Sequence, residues 1–155
     1  MVENMKEKIA ESLNGIDVYA VIDNPHMEAH KYVQNEHIAE AIARCSIDRG
    51  FGIYTVEFDH IIGKNDLVET TEDDDVRYEK RAGRNIISRV VHGRESEDTN
   101  LITVCTTIDE DDGLMTLVTA FYGPQAPREM TDPRLTDEER PESVAFWSNH
   151  ALVAK

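Results

Sequence analysis

The chain has 155 residues, about the length of one ordinary domain, and 40% of them are hydrophobic, which is enough for a core of moderate size. It carries 31 acidic residues against 16 basic ones, so its formal net charge is −15. This charge excludes a generally basic nucleic-acid coat protein and argues against attachment to anionic membranes through the overall field. It does not exclude one local basic site.

The chain has no apolar run long enough for a transmembrane helix, and its polar start, Met1–Lys8, lacks the apolar segment of a secretion signal. Cys45 and Cys105 lie in segments that are predicted to be buried. Reduced thiols in a cytoplasmic protein are the simpler interpretation, and a disulfide between the two is the alternative. We therefore expect a cytoplasmic protein without a membrane partner.

The first half of the chain is predicted to be mainly helical. Residues 3–13 suit a short helix, and the β-branched segment Ile16–Ile22 suits a strand. Asn24 and Pro25 then form a typical helix start, from which a helix can run towards Cys45. A break near Asn35 is the alternative and gives a second helix, Asn35–Asp48. The apolar stripe of that helix follows a helical period: Ile38, Ala41, Ile42 and Cys45.

The second half is predicted to be an antiparallel meander. Phe51–Ile62 reads as a strand or a loop, and the acidic stretch Asp66–Asp75 as a mobile connection. Three strands are expected to follow: Arg84–His92, Leu101–Ile108 and Leu114–Tyr122. A hairpin over Asp109–Gly113 joins the last two, and the linker Gly93–Asn100 suits a second hairpin.

Four of the five prolines lie between Gly123 and Pro141, which predicts an extended arm, and Ser143–Val153 fits a last short helix. The predicted fold class is therefore α+β, with N-terminal helices followed by an antiparallel β-meander and a short C-terminal helix. We expect one domain over residues 1–155. In it, residues 1–36 form an N-terminal extension, and residues 123–155 form the proline-rich arm and terminal helix.

Charge is distributed in blocks. Residues 57–75 carry a net charge of −7, and residues 95–113 hold seven acids and no base. Between them, residues 76–94 carry a net charge of +5, with six bases: Arg77, Lys80, Arg81, Arg84, Arg89 and Arg94. These arginines can pair with the acidic flanks, or Arg84 or Arg89 can bind a phosphate or carboxylate through its planar fork of donors. In the second case, RNA is the possible partner of residues 77–94.

Two histidine patterns carry possible chemistry. His26 and His30 are one helical turn apart, which is workable zinc geometry, but no cysteine cluster completes a site. We expect a polar surface and no metal or cofactor, and a metal-dependent enzyme that uses His26 and His30 is the alternative. His37 and Arg44 are seven residues apart, so two helical turns place them on the same side. Such a pair can flank a scissile phosphate as base and anion stabiliser, or simply form a surface stripe.

The order of these segments resembles a known family. The helix from His37 to Arg44 and on to Gly50, followed by strands beginning near Tyr78–Arg84, is similar to toxin-like ribonucleases of the RelE and BrnT type. These belong to the barnase–EndoU–colicin–RelE superfamily. Leu101–Cys105 looks like the middle strand of their meander, and Leu117–Tyr122 looks like the last. The resemblance covers about residues 37–122.

The resemblance implies a metal-independent endoribonuclease without a cofactor, in which a ribose 2′-hydroxyl attacks the adjacent phosphate. Carried over by position, it implies that His37 is the acid or base and that Arg44 stabilises the phosphate together with Arg84 or Arg89. It also implies that Thr119 or Tyr122 orients or protonates.

The net charge supports a different hypothesis, a non-enzymatic acidic interaction protein. Its carboxylates would mimic nucleic acid or inhibit a basic target. The sequence therefore leaves two kinds of protein partner open, an antitoxin-like one for the ribonuclease and a basic one for the interaction protein.

Overall fold

The computed structural model describes residues 5–21, 33–80 and 86–154. Within these residues, 44% lie in strands and 13% in helices. The expectation of N-terminal helices followed by an antiparallel meander is therefore wrong, because the protein is mostly β and its sheets are mixed. No helix of the described ranges is long and apolar enough to cross a membrane.

Eleven strands and two helices make up the regular structure of the described residues. In chain order they are β1 (Lys6–Glu11), β2 (Asp17–Val21), α1 (Asn35–Ala43), β3 (Phe51–Glu57), β4 (Gly63–Asn65), β5 (Leu67–Glu69), β6 (Asp75–Lys80), β7 (Ile87–His92), β8 (Glu97–Thr99), β9 (Leu101–Ile108), β10 (Met115–Tyr122), α2 (Arg140–Trp147) and β11 (His150–Val153).

The chain divides into two compact units that interleave in sequence. The first unit takes residues 1–63 and 99–125, and the second takes residues 64–98 and 126–155. The expectation that residues 1–155 form one domain stays a prediction, because interleaved units can still belong to one domain. Strands β4 and β8 pair in a separate two-stranded sheet.

The first unit is built on a five-stranded sheet in the order β1-β2-β10-β9-β3. The neighbours pair antiparallel except for β2 and β10, which are parallel. The hairpin between β9 and β10 over Asp109–Gly113 is confirmed, and Gly113 takes the positive φ of 72° that its turn requires. Helix α1 packs on the inner face of the sheet through Ile38, Ala41 and Ile42, as its predicted apolar stripe indicated.

The largest error concerns residues 3–13, of which residues 6–11 form strand β1 rather than part of a helix. A turn folds β1 back onto β2. It contains Gly15, with a φ of 82°, and is closed by a hydrogen bond from the Ser12 amide to the Ile16 carbonyl. Lysines and glutamates tolerate a solvent-exposed sheet edge as well as a helix surface, so pairing with β2 decided the outcome.

The second unit is built on a four-stranded sheet in the order β5-β11-β7-β6. Strand β11 is parallel to β7, and the other pairs are antiparallel. The predicted helix Ser143–Val153 is therefore wrong over its second half, which forms β11. The buried Trp147 ends α2 and donates its indole N–H to the Pro127 carbonyl at 3.1 Å, which fixes the proline-rich segment locally.

Two further expectations need correction. The linker Gly93–Asn100 does not join paired strands, because β7 and β9 belong to different sheets and β8 lies between them in sequence. The stretch Asp66–Asp75 is not a mere connection, because it contains β5 and a turn in which Asp74 accepts a hydrogen bond from the Thr71 amide.

Candidate functional site

Three of the side chains with possible chemistry in the first unit gather around one buried ring, that of Phe58. The ring centre lies 5.6 Å from that of His37 and 5.8 Å from that of His60, and 5.1 Å from the guanidinium carbon of Arg44. Tyr122 joins the group through His37, whose Nδ1 lies 2.6 Å from the Tyr122 hydroxyl oxygen. We call these five residues the Phe58 cluster.

The fold positions the cluster by simple alternation and helical periodicity. Tyr122 and Ala120 alternate with outward residues along β10, so both side chains enter the core on the face where α1 packs. His37 lies in the first turn of α1 and Arg44 at its C-terminal cap, so both lie on the side of the helix that borders Phe58. The predicted common side for His37 and Arg44 is thus present.

The Tyr122 hydroxyl has a structural role at the start of α1. It accepts a hydrogen bond from the Gln34 amide at 3.1 Å, an N–H that the helix itself cannot satisfy. Gly63 packs against the Tyr122 ring so closely that a β-carbon at Gly63 would lie 2.3 Å from it. These contacts fix the ring and hold His37 in hydrogen-bonding range of its hydroxyl.

The donors of Arg44 are already engaged within the protein. Its guanidinium covers the Phe58 ring, donates to the Glu57 carbonyl at 2.7 Å and pairs with the Glu40 carboxylate at 3.3 Å. An arginine held in this way offers fewer free donors to a phosphate than the resemblance implies.

The surroundings of the cluster are acidic. The exposed carboxylates of Glu40 and Asp59 contact the cluster, Glu40 through Arg44 and Asp59 through His60. Asp59 accepts a hydrogen bond from His60 at 2.6 Å, which lowers the pKa of that carboxyl below its ordinary value. The Glu40 carboxylate offsets the charge of Arg44, which weakens the attraction of the cluster for the phosphates of RNA.

Thr119 lies outside the Phe58 cluster. It faces the opposite side of the sheet from Tyr122 and pairs in register with Cys105 of β9. Its hydroxyl is buried and has no hydrogen-bond partner among the described residues. Of the two residues that the resemblance offered for orientation or protonation, only Tyr122 contacts His37. Arg84, His26 and His30 lie outside the described residues.

Arg89 is held inside the second unit by neutral acceptors. One nitrogen of its guanidinium, Nη1, donates to the Thr70 hydroxyl at 2.8 Å and to the His150 carbonyl at 2.9 Å. These bonds tie β7 to the segments around β5 and β11. Arg89 therefore acts as a structural arginine in the described part of the chain.

The other described arginines of residues 76–94 pair with the acidic flanks. Arg94 donates to both carboxylate oxygens of Asp74, at 3.1 and 3.2 Å, and to Glu97 at 3.3 Å. Arg77 pairs with Asp75 at 2.8 Å. Of the described arginines of this segment, Arg77 and Arg94 thus neutralise acidic neighbours, whereas Arg89 bonds to neutral acceptors.

Exposed carboxylates outnumber the cations that could neutralise them. Lys6, whose side chain is only 6% exposed, is held at 2.7 Å by both Asp109 and Asp112. Glu110 and Asp111 lie between these two residues in the turn. Both are exposed, and neither has a described cation within 4 Å. Other exposed acids of the described ranges also lack such a cation: Glu7, Glu11, Glu36, Asp48, Glu57, Glu69, Glu72, Asp73, Glu95, Asp137, Glu138 and Glu142.

Among the described residues, no group of three or more histidine, cysteine or carboxylate side chains could hold a metal ion. Cys45 and Cys105 are both free thiols, and burial raises the pKa of each.

Several residues of the site were missed at the sequence level. Phe58, His60, Gln34 and Gly63 carry no motif. The available signal is the spacing of Phe58 and His60, which are two residues apart. This spacing places both side chains on the same face of an extended segment.

Comparison with known proteins returns no relative. No protein-family model matches the chain, and neither the curated proteins nor the solved structures contain a match.

Proposed function

We propose that this protein is a non-enzymatic interaction protein whose partner presents a positively charged surface. The observation that supports this proposal is the state of the basic segment, in which Arg77, Arg89 and Arg94 are all held by acceptors of the protein itself. The carboxylates in excess over the cations remain exposed. The surface of the molecule therefore attracts positively charged groups. Dense carboxylates can compete with nucleic acid for a basic partner.

The best-organised acidic surface of the first unit is the tip of the β9–β10 hairpin. Asp109 and Asp112 form its base and are anchored by Lys6, and their free oxygens accept the Asp111 and Leu114 amides at 2.9 Å. Because this base is fixed, the carboxylates of Glu110 and Asp111 are displayed from a rigid turn. We place the contact with the basic partner at this tip and the protein in the cytoplasm.

The turn at Thr71–Asp74 in the second unit offers a matched control for the hairpin tip. Glu72 and Asp73 are exposed and lack a described cation partner, as are Glu110 and Asp111. Converting either pair of side chains to the corresponding amides raises the net charge by two. Neither change removes a side-chain hydrogen bond found in the described residues.

The experiment measures binding of a fluorescent oligo-lysine peptide to the protein by anisotropy at several salt concentrations. We expect binding that weakens steeply with salt, and a larger loss for Glu110→Gln with Asp111→Asn than for Glu72→Gln with Asp73→Asn. Equal losses for the two double variants, or no binding to the peptide at low salt, would contradict the proposal.

A second candidate function is metal-independent RNA cleavage, because His37 and Tyr122 lie 2.6 Å apart and Arg44 borders the same ring. In this proposal His37 removes the proton of the 2′-hydroxyl as its oxygen bonds to phosphorus, and Arg44 stabilises the charge that develops on the phosphate. The P–O5′ bond breaks, and the protonated His37 returns the proton to the departing 5′-oxygen. Tyr122 orients the His37 imidazole through its hydrogen bond.

The second candidate is tested by incubating labelled RNA with the pure protein and a chelator, between about pH 5 and pH 8. It requires cleavage that is lost in His37→Ala and retained in His92→Ala, a histidine of the second unit. The absence of cleavage by the unaltered protein across this range would exclude it.

A further inference from the structure

Strand β3 is an outer strand of the five-stranded sheet, and its free edge is long and uncharged. Its first six residues, Phe51–Val56, contain no charged side chain, whereas β1, at the opposite edge, has the sequence KEKIAE. Proteins usually protect an exposed sheet edge with charges, because its unpaired backbone groups can bind another strand. Strand β1 is protected in this way and β3 is not.

The backbone groups at this edge follow from the pairing with β9. The Ile108 amide donates to the Gly50 carbonyl at 3.0 Å, and the Phe58 amide donates to the Asn100 carbonyl at 2.7 Å. In antiparallel pairs such bonds recur at every second residue, so the even-numbered residues of β3 bond to β9. The N–H and C=O groups of residues 51, 53, 55 and 57 therefore point away from the sheet.

These outward groups are open to a further strand. Within the described ranges, the Glu57 carbonyl has a partner, Arg44, and the outward groups of residues 51, 53 and 55 have none. The side chains of the same residues are exposed, Phe51 at 62% and Ile53 at 39%. An unpaired edge and exposed apolar side chains thus coincide on one strand.

We propose that β3 pairs antiparallel with β3 of a second copy of the chain, about a two-fold axis at Ile53. In this register Ile53 lies opposite Ile53 of the second copy, and Phe51 lies opposite Thr55. Arg49, in the bend that precedes β3, then lies beside Glu57 of the second copy, twice across the axis. Both charged residues are exposed, and neither has an oppositely charged described side chain within 4 Å.

Charge complementarity is the reason for choosing a second copy as the occupant. The register centred on Tyr54 places Phe51 opposite Glu57, whereas the register about Ile53 brings the two opposite charges together. The net charge of −15 repels two copies at long range, but at physiological salt this repulsion is screened beyond about 8 Å. The local pairs across the strands lie within that distance.

The first test is sedimentation of the full chain over a concentration series at physiological salt. We expect a monomer–dimer equilibrium that Arg49→Glu weakens by roughly tenfold or more, because the altered side chain lies opposite Glu57. The double change Arg49→Glu with Glu57→Arg restores dimerisation. Arg140→Glu, an equal change of charge on the exposed start of α2, leaves it unaltered.

Two sedimentation outcomes would overturn the dimer. The first is a chain that stays monomeric at every concentration, as expected if β3 receives a strand of a different protein. The second is equal weakening by Arg49→Glu and Arg140→Glu. The proposal does not depend on binding to a basic partner, so either can fail without the other.

The second test is disulfide cross-linking through Ile53→Cys. Directly opposed residues of a hydrogen-bonded pair have Cα atoms about 5.5 Å apart, which suits a disulfide. The chain must also carry Cys45→Ser and Cys105→Ala, because Cys105 lies opposite Ile53 in β9 and would capture the new thiol.

Mild oxidation is expected to give a covalent dimer with Ile53→Cys. It is not expected to do so with Leu13→Cys in the same background, although Leu13 is 69% exposed. Equal cross-linking of the two variants, or none of either, would overturn the register.

Discussion

Arg94 donates to both carboxylate oxygens of Asp74, at 3.1 and 3.2 Å, and so joins the basic segment of the sequence to the acidic block that precedes it. The Asp74 side chain is only 15% exposed. The pair holds the turn before β6 against the end of β7, and the pKa of the Asp74 carboxyl is lowered, first by the hydrogen bond from the Thr71 amide and further by Arg94. The positive charge of Arg94, which the sequence left open to an anion, thus stabilises the fold through Asp74.

Arg94→Gln is predicted to lower the melting temperature of the protein by a few degrees, because it removes the cation from a poorly exposed carboxylate. Arg77→Gln is the matched control. Its pair with Asp75 is more than half exposed on both sides, and such pairs contribute little. Thermal unfolding followed by circular dichroism checks both variants, and equal shifts would show that the Arg94 pair is not special.

Tyr122→Phe is predicted to reduce the free energy of unfolding by about 1 kcal/mol, because the Gln34 amide and His37 lose their hydrogen-bond partner. Tyr78→Phe, at a ring that is 65% exposed, is predicted to have no measurable effect. Urea unfolding of the two variants makes the comparison, and an unchanged midpoint for Tyr122→Phe would contradict the anchoring role of its hydroxyl.

Gly63→Ala is predicted to destabilise the first unit by roughly 1–3 kcal/mol, since the added β-carbon would lie 2.3 Å from the Tyr122 ring. A loss of the same size is not expected for Gly93→Ala. There the new β-carbon meets nothing within 4 Å, and the cost is only that of its φ of 81°. Calorimetry on the two variants tests whether the ring is fixed, and equal costs would indicate that it moves aside.

Lys6→Met is predicted to make stability less dependent on pH. Burial opposes the charge of Lys6, but hydrogen bonds to Asp109 and Asp112 raise its pKa overall, and the same bonds hold the pKa of both carboxyls below the ordinary value. Lowered carboxyl pKa values stabilise the fold above about pH 4 and cease to do so as the pH falls through them. A raised lysine pKa stabilises the fold below about pH 10 and ceases to do so as the pH rises through it.

The unaltered protein is therefore expected to exceed Lys6→Met in stability by the largest margin between these limits. The margin should shrink under acid and under strong base. Denaturant unfolding at several pH values measures it, and a margin that stays constant from acid to neutral pH would rule out the ion pairs as its source.

Local signals in the sequence predicted those elements whose structure depends on residues close together in the chain. The hairpin over Asp109–Gly113 has its own turn signal. Helix α1 begins at Asn35, the alternative start in the sequence, but it ends at Ala43 and not at Asp48. The first strand was missed because KEKIAE becomes a strand only through its pairing with β2, which no local pattern reveals. Strand β11 was missed for the same reason, since it lies between two strands that are distant in sequence.

The same distinction holds for the candidate site. Helical spacing placed His37 and Arg44 on one side, and the resemblance pointed to Tyr122, which does contact His37. Phe58, which joins these side chains, has no motif of its own. The partners of Arg89, Thr70 and the His150 carbonyl, come from two other segments, so the sequence could not distinguish a structural arginine from an anion ligand.

The central claim is that Arg77, Arg89 and Arg94 serve the fold and that the exposed carboxylates bind a positively charged partner. Its most direct test is a titration of the protein with labelled single-stranded RNA at low ionic strength. Low salt strengthens any contact with phosphate, so it gives RNA the most favourable condition. We expect no change in anisotropy with RNA under conditions where the oligo-lysine peptide binds. Saturable RNA binding that weakens in Arg77→Gln or Arg94→Gln would contradict the central claim, because those arginines would then be ligands for an anion.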